Sequence, residues 1–542
     1  MLFTVPEIHY ALTPLFSALF FLYAETHYSF KGIYSRLKKP EPEIIVDAPH
    51  RLEPGHELPL LLLIKDAHTY PIQLHRVIVE KFYPEAHETQ EFEIEREGID
   101  SRFWHRLFSV SLRRDFEGVL PLDVTIQYSV NGVAKQARND NYARTSHAPL
   151  RVVVASQALP KTAGWHFGEF HCHTSFTDDQ VEFGAPLAAT RQLARVMGLN
   201  FFCATDHSYD LDDDPHNYLK KDPLLRKWQA LWQEVGALNA DNSGFVIVPG
   251  EEVSAGNHKN RNVHFLILNN PTFLPGDGDG AERWFRTRPT ASIESVLQRS
   301  NSNSAAFAAH PLISPPLLER MLVRRGKWEA PDFEHPGLHG LQIWNGSDAG
   351  FEEGKRAWIN LLLNGRRIFI SAGNDAHGNF NRYRQIGFPF LTMQENHHQV
   401  FGRVRTAVFV DQQLTLDSLL MAIRNGRMVV TDGPFLDLRI ISHDGQTGRP
   451  GDTLSGQTLQ FDCVCQSSAE FGELQSFKIY AGCFKTKEES LLRNIEAFPA
   501  PFLHKDSFVE AKLQPGYVRA ELYTERDGQR FKCLTNPVWF NI

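Results

Sequence analysis

Histidines and acids suited to holding metal ions are strung along the middle of the chain. They occur as His171-Cys172-His173, Thr205-Asp206-His207, Pro249-Gly250-Glu251-Glu252, His264, His310-Pro311 and Asn374-Asp375-Ala376-His377. In an extended strand side chains alternate faces, so His171 and His173 project to one side and Cys172 to the other, presenting two imidazoles to one ion. A lone His-x-His says little, because single histidines mostly serve on surfaces or as hydrogen-bonded core residues. Five further clusters with a His, Asp or Glu beside an apolar run weaken that explanation. Imidazole plus carboxylate is the donor mixture that zinc, iron and manganese accept.

Clustered divalent ions bridged by carboxylates lower the pKa of a shared water, supply hydroxide near neutral pH and stabilise negative charge on the attacked group. No serine or cysteine nucleophile is then required, and Cys172 faces away from its histidine neighbours. Phosphoester cleavage suits such a centre, with Lys259, Arg261, Arg382 and Arg384 as substrate-binding cations in loops adjoining the clusters. A solvated loop surface explains any one of these bases equally well. For ester, carbamate or amide hydrolysis, Trp344 or Tyr383 would line an apolar pocket, although core packing is the more ordinary role for Trp344.

Elements that bring these residues together are legible as periodicity. Apolar strands are expected near Glu169–His173, Asn200–Thr205, Phe245–Pro249, Val263–Leu268, Ala305–Ala309, Gly340–Trp344 and Arg367–Ser371. Helix-compatible stretches intervene at Pro186–Met197, Asp222–Leu238, Ser292–Arg299 and Glu352–Leu363. Strands with crossovers imply a parallel sheet, and closure into a barrel would gather the loops after the strands at one face. His264 precedes its apolar run and must reach in from a strand start. Before this region, 42–157 reads as short strands of a β-sandwich, and 435–542 as a second small sandwich. Residues 158–434 are the expected catalytic unit, and 1–41 an apolar N-terminal segment.

The succession His171-x-His173-Thr174, Asp178, Thr205-Asp206-His207, Gly250-x-Glu252-Val253-Ser254, His264, His310-Pro311 and Asp375-x-His377 resembles the polymerase and histidinol phosphatase (PHP) family. The stretches Leu341-Gln342-Ile343-Trp344-Asn345-Gly346, Gly373–Phe380 and Thr431-Asp432-Gly433-Pro434 are similar to its carbaryl hydrolase (CehA/McbA) branch. The resemblance implies an α/β fold, a distorted seven-stranded (βα) PHP barrel holding two or three divalent ions (Zn, Mn or Fe), flanked here by the two sandwiches. It implies metal ligands at His171, His173, Asp178, His207, Glu252, His264, His310, Asp375 and His377. Asp179 is an alternative to Asp178, and Glu251 to Glu252. Asp206, beside a ligand histidine, is expected to be a general base or an outer partner of that histidine, with His207 and Asp375 completing the catalytic set.

Bulk properties agree with a soluble enzyme acting on a small molecule. At 542 residues two or three domains are expected. With 56 basic and 64 acidic residues the net charge is −8, which offers no footprint for duplex nucleic acid. Six cysteines are too few for a disulfide scaffold, and Cys463-x-Cys465 lacks a second pair to make a zinc knuckle, so a reduced cytoplasmic setting is expected. The uncharged run Ile8–Ala24 is short, contains Pro14 and lacks a basic flank, which disfavours a signal peptide or membrane anchor. The sequence leaves oligomeric state open. The expected function is a metal-dependent hydrolase, foremost a phosphoesterase; the alternatives are a carboxylester, carbamate or amide hydrolase and a noncatalytic metal-binding module.

Overall fold

The computed structural model describes residues 41–541 apart from 142–146, 179–182, 216, 242, 279–286, 316, 323, 382–384, 389–390 and 395–398. The apolar N-terminal run, Asp179, Arg382, Tyr383 and Arg384 therefore lie outside the described residues. Among the described residues no helix is long and apolar enough to cross a membrane.

Residues from Glu43 to Val154 form two sheets. Glu43–Asp47, Leu58–Lys65 and Phe103–Val110 make one; Arg51–Leu52, Leu150–Val154, Gly118–Val130, Ile72–Tyr83, Ala86–Ile99 and Val133–Arg138 make the other. Leu60, Leu62 and Ile64 alternate inward to meet Val77, Val79, Val124 and Ile126 in a shared core. Leu61 and Leu63 between them are buried as well, Leu61 in the neighbouring core, so this strand is covered on both faces.

Each of the seven stretches expected as strands in the middle region is a strand, but the expected (βα) barrel is not what they build. Trp165–His173, Phe201–Ala204 and Val246–Gly256 pair in parallel. Asn262–Leu268 then runs antiparallel to both Val246–Gly256 and Ala305–Ala308, before parallel pairing resumes through Gly340–Asn345 to Phe369–Gly373. The reason is local. Only residues 257–261 join Val246–Gly256 to Asn262–Leu268, and a parallel crossover needs a dozen residues or more.

On its other edge Trp165–His173 pairs antiparallel with Arg405–Phe409, and the path continues through Met428–Thr431 into Gln529–Thr535, Gly516–Arg526, Glu473–Cys483 and Glu488–Ile495. These strands belong to one 16-stranded sheet, which crosses the boundary expected at 434/435. A four-stranded sheet, including Phe435–Ser442, Leu459–Gln466 and Leu503–Glu510, also belongs to this end of the chain. Strand outweighs helix, 46% to 14%, so the chain is predominantly a β-sheet protein and not a βα alternation.

Candidate metal centre

Alternation at the end of Trp165–His173 aims His171 and His173 to one side, while Cys172 packs in the core with its thiol on the Cys203 carbonyl at 3.2 Å; a register shift between Glu169 and Cys172 breaks the alternation upstream. Burial pushes the Cys172 thiol well above its usual range, which removes it as a nucleophile. The loop after Phe369–Gly373 folds back on this strand, pairing Cys172 with Ala376 and His173 with His377, and the Asp375 amide donates to the His171 carbonyl at 2.8 Å. Asp375 and His310 hold positive φ of 53° and 29°. Such backbone in non-glycine residues persists where surrounding structure fixes it, typically at functional sites.

Glu252 occupies the centre. Its Oε1 lies 2.6 Å from His264 Nδ1, 3.2 Å from His310 Nε2 and 3.5 Å from His171 Nε2; its Oε2 lies 3.0 Å from His207 Nδ1 and 3.5 Å from His173 Nε2. Asp375 Oδ1 is 3.0 Å from His173 Nε2 and 3.4 Å from His171 Nε2. The His377 ring stacks on His173 with centroids 4.0 Å apart. Three overlapping groups result, each with donor atoms mutually within 4.8 Å: His173, His207 and His377; His171, His173, Glu252 and Asp375; and Glu252, His264 and His310.

Charge is concentrated in this space. Burial raises the Glu252 carboxyl, but His264 and His171 hold it well below the usual carboxylate range. Burial likewise raises Asp375, and His171 and His173 bring it well below. Burial lowers the His171 imidazole, yet Asp375 and Glu252 carry it up to about 9. His173, desolvated and facing His377 and His207, is pushed well below its ordinary value, and burial lowers His310.

These donors fit divalent ions. His171 Nε2 is a buried atom with no hydrogen-bond partner, which is costly unless something else occupies it, and Glu252 Oε1 faces three imidazoles at once. Gln342 Oε1 lies 2.9 Å from His171 Nδ1, supplying the outer acceptor that keeps Nε2 as the donor atom. Gln342 Nε2 donates to Asn345 Oδ1 at 2.9 Å, and Asn345 Nδ2 to Asp375 Oδ2 at 3.3 Å, so one amide chain orients two of the donors.

Of the expected ligands, His171, His173, His207, Glu252, His264, His310, Asp375 and His377 converge. Asp178 does not join these groups: its carboxylate pairs with Lys65, at 3.4 Å, and with Arg102, both from the N-terminal sheets. Glu251 points away from the cluster, accepting from Trp228 Nε1 at 3.3 Å and the Leu274 amide at 3.2 Å; burial lifts its carboxyl to about 8.

Asp206 has a different role from the one expected. Its Oδ1 accepts from the amides of Thr174 at 2.7 Å and Thr177 at 2.9 Å, and its Oδ2 from the Thr174 hydroxyl at 2.8 Å. It fastens the loop that follows His173, and Thr177 Oγ1 in turn lies 3.3 Å from His173 Nδ1. The expected substrate cations are also engaged elsewhere. Lys259 Nζ pairs with Glu329 at 2.5 Å, and Arg261 donates to the Arg320 carbonyl at 3.0 Å. Among the described residues the cation that touches the cluster is Arg325, whose Nη1 meets His264 Nε2.

Sequence reasoning missed Glu169, Gln342, Asn345 and Arg325. Glu169 Oε1 accepts from the amides of His171 and Asn374 at 3.0 and 2.8 Å, its Oε2 accepts from Gly402 at 2.8 Å, and burial raises its carboxyl to about 7. It was readable as an acid inside an apolar strand. Gln342 was readable as the polar residue inside an apolar strand. Nothing in the sequence marks Arg325.

No protein-family model matches the chain, and no curated protein does. Similar solved structures include Bacteroides uniformis β-glucuronidase 2 covalently bound to cyclophellitol-6-carboxylate aziridine, at 8% identity over 93% of this chain and 62% of that one, TM-score 0.17. Parabacteroides merdae β-glucuronidase gives 8% over 92% and 64%, TM-score 0.18. Trypsin-activated α-2-macroglobulin from Escherichia coli gives 7% over 93% and 24%, TM-score 0.14. The chain spans less than two thirds of each, and at such TM-scores the likeness carries neither fold nor chemistry to this chain.

Proposed function

We propose that this protein is a metal-dependent hydrolase of small molecules, foremost a phosphoesterase, with two or three divalent ions (zinc, manganese or iron) at the Glu252 cluster. The observation that carries this reading is the sharing of donors: His173 belongs to two of the three groups and Glu252 to two. Ligands held in common are what a multinuclear centre requires, and a mononuclear structural site has no use for them. Ions bound there would activate a water for attack and stabilise the negative charge that develops on the substrate.

The chain's own residues do the rest. Glu252 holds negative charge deep in the site, while His310 and Asp375, which keep partial exposure, mark the side from which substrate enters. Gln342, Asn345 and Thr177 fix ring and carboxylate orientation. Fixed donors cost no reorganisation during the reaction.

A specific feature favours ester, carbamate or amide hydrolysis as the second reading. A small cavity of about 30 Å³, walled by Ile45, Leu61, Leu63 and Phe183 together with Asp47 and Asn379, has His377 on its lining, so a group no larger than a methyl has a place beside the cluster. All six cysteines are free thiols, which suits the cytoplasm.

The test is elemental analysis and turnover on one preparation. Protein purified after growth with zinc, manganese and iron is expected to carry about two or more ions per chain and to hydrolyse aryl phosphates faster than matched aryl esters and carbamates. Less than one ion per chain overturns the metal centre. Metal without turnover of any of the three substrate types moves the protein to a noncatalytic metal-binding module, and faster ester or carbamate cleavage establishes the second reading.

A further inference from the structure

His173, His207 and His377 make up one of the donor groups of the centre. The chain segments that run on from these three histidines all meet the N-terminal two-sheet unit, Glu43 to Val154, within a few residues. Beyond His173, Asp178 pairs with Lys65 at 3.4 Å and with Arg102. Beyond His207, the Pro215 carbonyl accepts from Arg102 Nη1, so one guanidinium holds two of the segments. Beyond His377, the Phe380 amide donates to Asp47 Oδ2 at 2.8 Å, and the Phe380 carbonyl accepts from the His50 amide at 3.0 Å. Asn381 continues this join in the manner of a strand: its side-chain oxygen accepts from the Arg151 amide at 3.0 Å, and its side-chain nitrogen donates to the Arg151 carbonyl at 2.7 Å.

The segments beyond His173 and His377 are also locked to each other. The Ser175 amide donates to the Ala185 carbonyl at 3.0 Å, and a Cβ on Gly184 would collide with the His173 carbonyl oxygen. Gly378, at φ 69°, approaches so closely that a Cβ on it would stand 3.0 Å from the Ala185 amide nitrogen. Close packing of this kind transmits displacement instead of absorbing it, and the His377 ring stacks on His173 at 4.0 Å. A shift of Phe380 or Asn381 therefore reaches the donor atoms.

The Glu252, His264 and His310 group is fastened by a different part of the chain. Trp328 Nε1 donates to the His264 carbonyl, and the Trp328 amide to the Pro311 carbonyl, both at 3.1 Å. The Asn262 amide donates to the Arg324 carbonyl at 3.0 Å, and its own carbonyl accepts from the Gly326 amide at 2.7 Å. Residues 324–328 thus set the start of the His264 strand and the turn at His310.

We infer that the N-terminal two-sheet unit is a positioning domain for the His173, His207 and His377 half of the metal centre, foremost through its bonds to Phe380 and Asn381, whereas the central region sets the Glu252, His264 and His310 half. The inference rests on the metal-centre reading and deepens it: the affinity of one ion depends on the join between the two parts of the chain, and that of the other does not.

The experiment titrates the metal-free full chain with Co²⁺, followed by its visible absorption, and with Zn²⁺ in competition. His377→Ala and His310→Ala identify the equivalent of metal that belongs to each half. The double variant Asp47→Ala/Asn381→Ala is expected to weaken the equivalent that His377→Ala abolishes by about tenfold or more and to alter its Co²⁺ absorption, because the ligand loop loses its outer hold. The equivalent that His310→Ala abolishes should keep its wild-type affinity. A general loss of stability would act on both, so equal weakening of the two, or weakening of neither, overturns the inference and leaves the metal centre standing. Wild type that takes up a single equivalent also overturns it, and wild type that takes up none overturns the metal-centre reading as well. Should the double variant fail to fold, Asn381→Ala decides by the same comparison, since it removes the Asn381 side-chain bonds alone.

Discussion

Gln342 presents its side-chain oxygen to His171 Nδ1 at 2.9 Å, and this places the ring proton on Nδ1 and leaves Nε2 facing Glu252 and Asp375. Replacing Gln342 by Ala is expected to lower metal affinity or turnover by about 10–100-fold while the purified protein stays folded, because only the orientation of a donor is lost. Metal titration followed by turnover at saturating metal checks it. An unchanged titration would remove Gln342 from the site.

Asp206 is expected to act on the fold more than on proton transfer. Asp206→Asn keeps an acceptor for one amide and loses the charged bonds to Thr174 and Thr177, at a cost of ~2 kcal/mol in urea unfolding. If the carboxylate served as general base, the limb of the pH–rate profile that it governs would vanish in the variant. The structure leads to a lowered rate with the apparent pKa values kept.

Asp178 gives the opposite signature from a ligand. Asp178→Asn is expected to leave metal content intact and to destabilise by about 1 kcal/mol, since Lys65 keeps Asp66 at 3.2 Å, while Arg102, 36% exposed, turns to water. Metal content falling by one ion per chain would restore Asp178 to the ligand set.

His50 makes stability depend on pH at a distance from the centre. Burial, and then Arg405, lowers its imidazole from 6.5 to about 3, while its Nδ1 lies 3.2 Å from the Phe380 carbonyl. In the unfolded chain it titrates near 6.5, so below that pH the unfolded state binds a proton that the folded state refuses. The stability held by the neutral ring is complete above 6.5 and is lost as pH falls toward 3, with a slope approaching about 1.4 kcal/mol per pH unit. In urea unfolding, the difference between wild type and His50→Gln should be flat above pH 7 and shrink progressively below about 6. A constant difference down to pH ~4.5 would contradict the assignment.

Much of the centre follows from the sequence because metal donors come in short motifs whose geometry is local. Alternation along a strand is enough to place His171 and His173 together and to turn Cys172 and Glu251 away, since adjacent residues of a strand cannot share a face. The seven apolar strands were legible for the same reason, as runs of buried residues bounded by turns. Which strands pair, and in what direction, was not. The parallel barrel was drawn from the number of strands and helical stretches, whereas the short link 257–261 forces Asn262–Leu268 to run antiparallel and so brings His264 to Glu252 from the start of its strand. The sheet path into 516–535 likewise depends on pairings between residues more than a hundred positions apart. Tertiary structure alone also decided the fate of the charges. Asp178 was drawn off by Lys65 and Arg102, Asp206 by a threonine loop and Lys259 by Glu329, while Arg325 was brought to His264. A charge takes whichever partner the folded chain places beside it, and spacing along the sequence carries no record of partners supplied by distant elements.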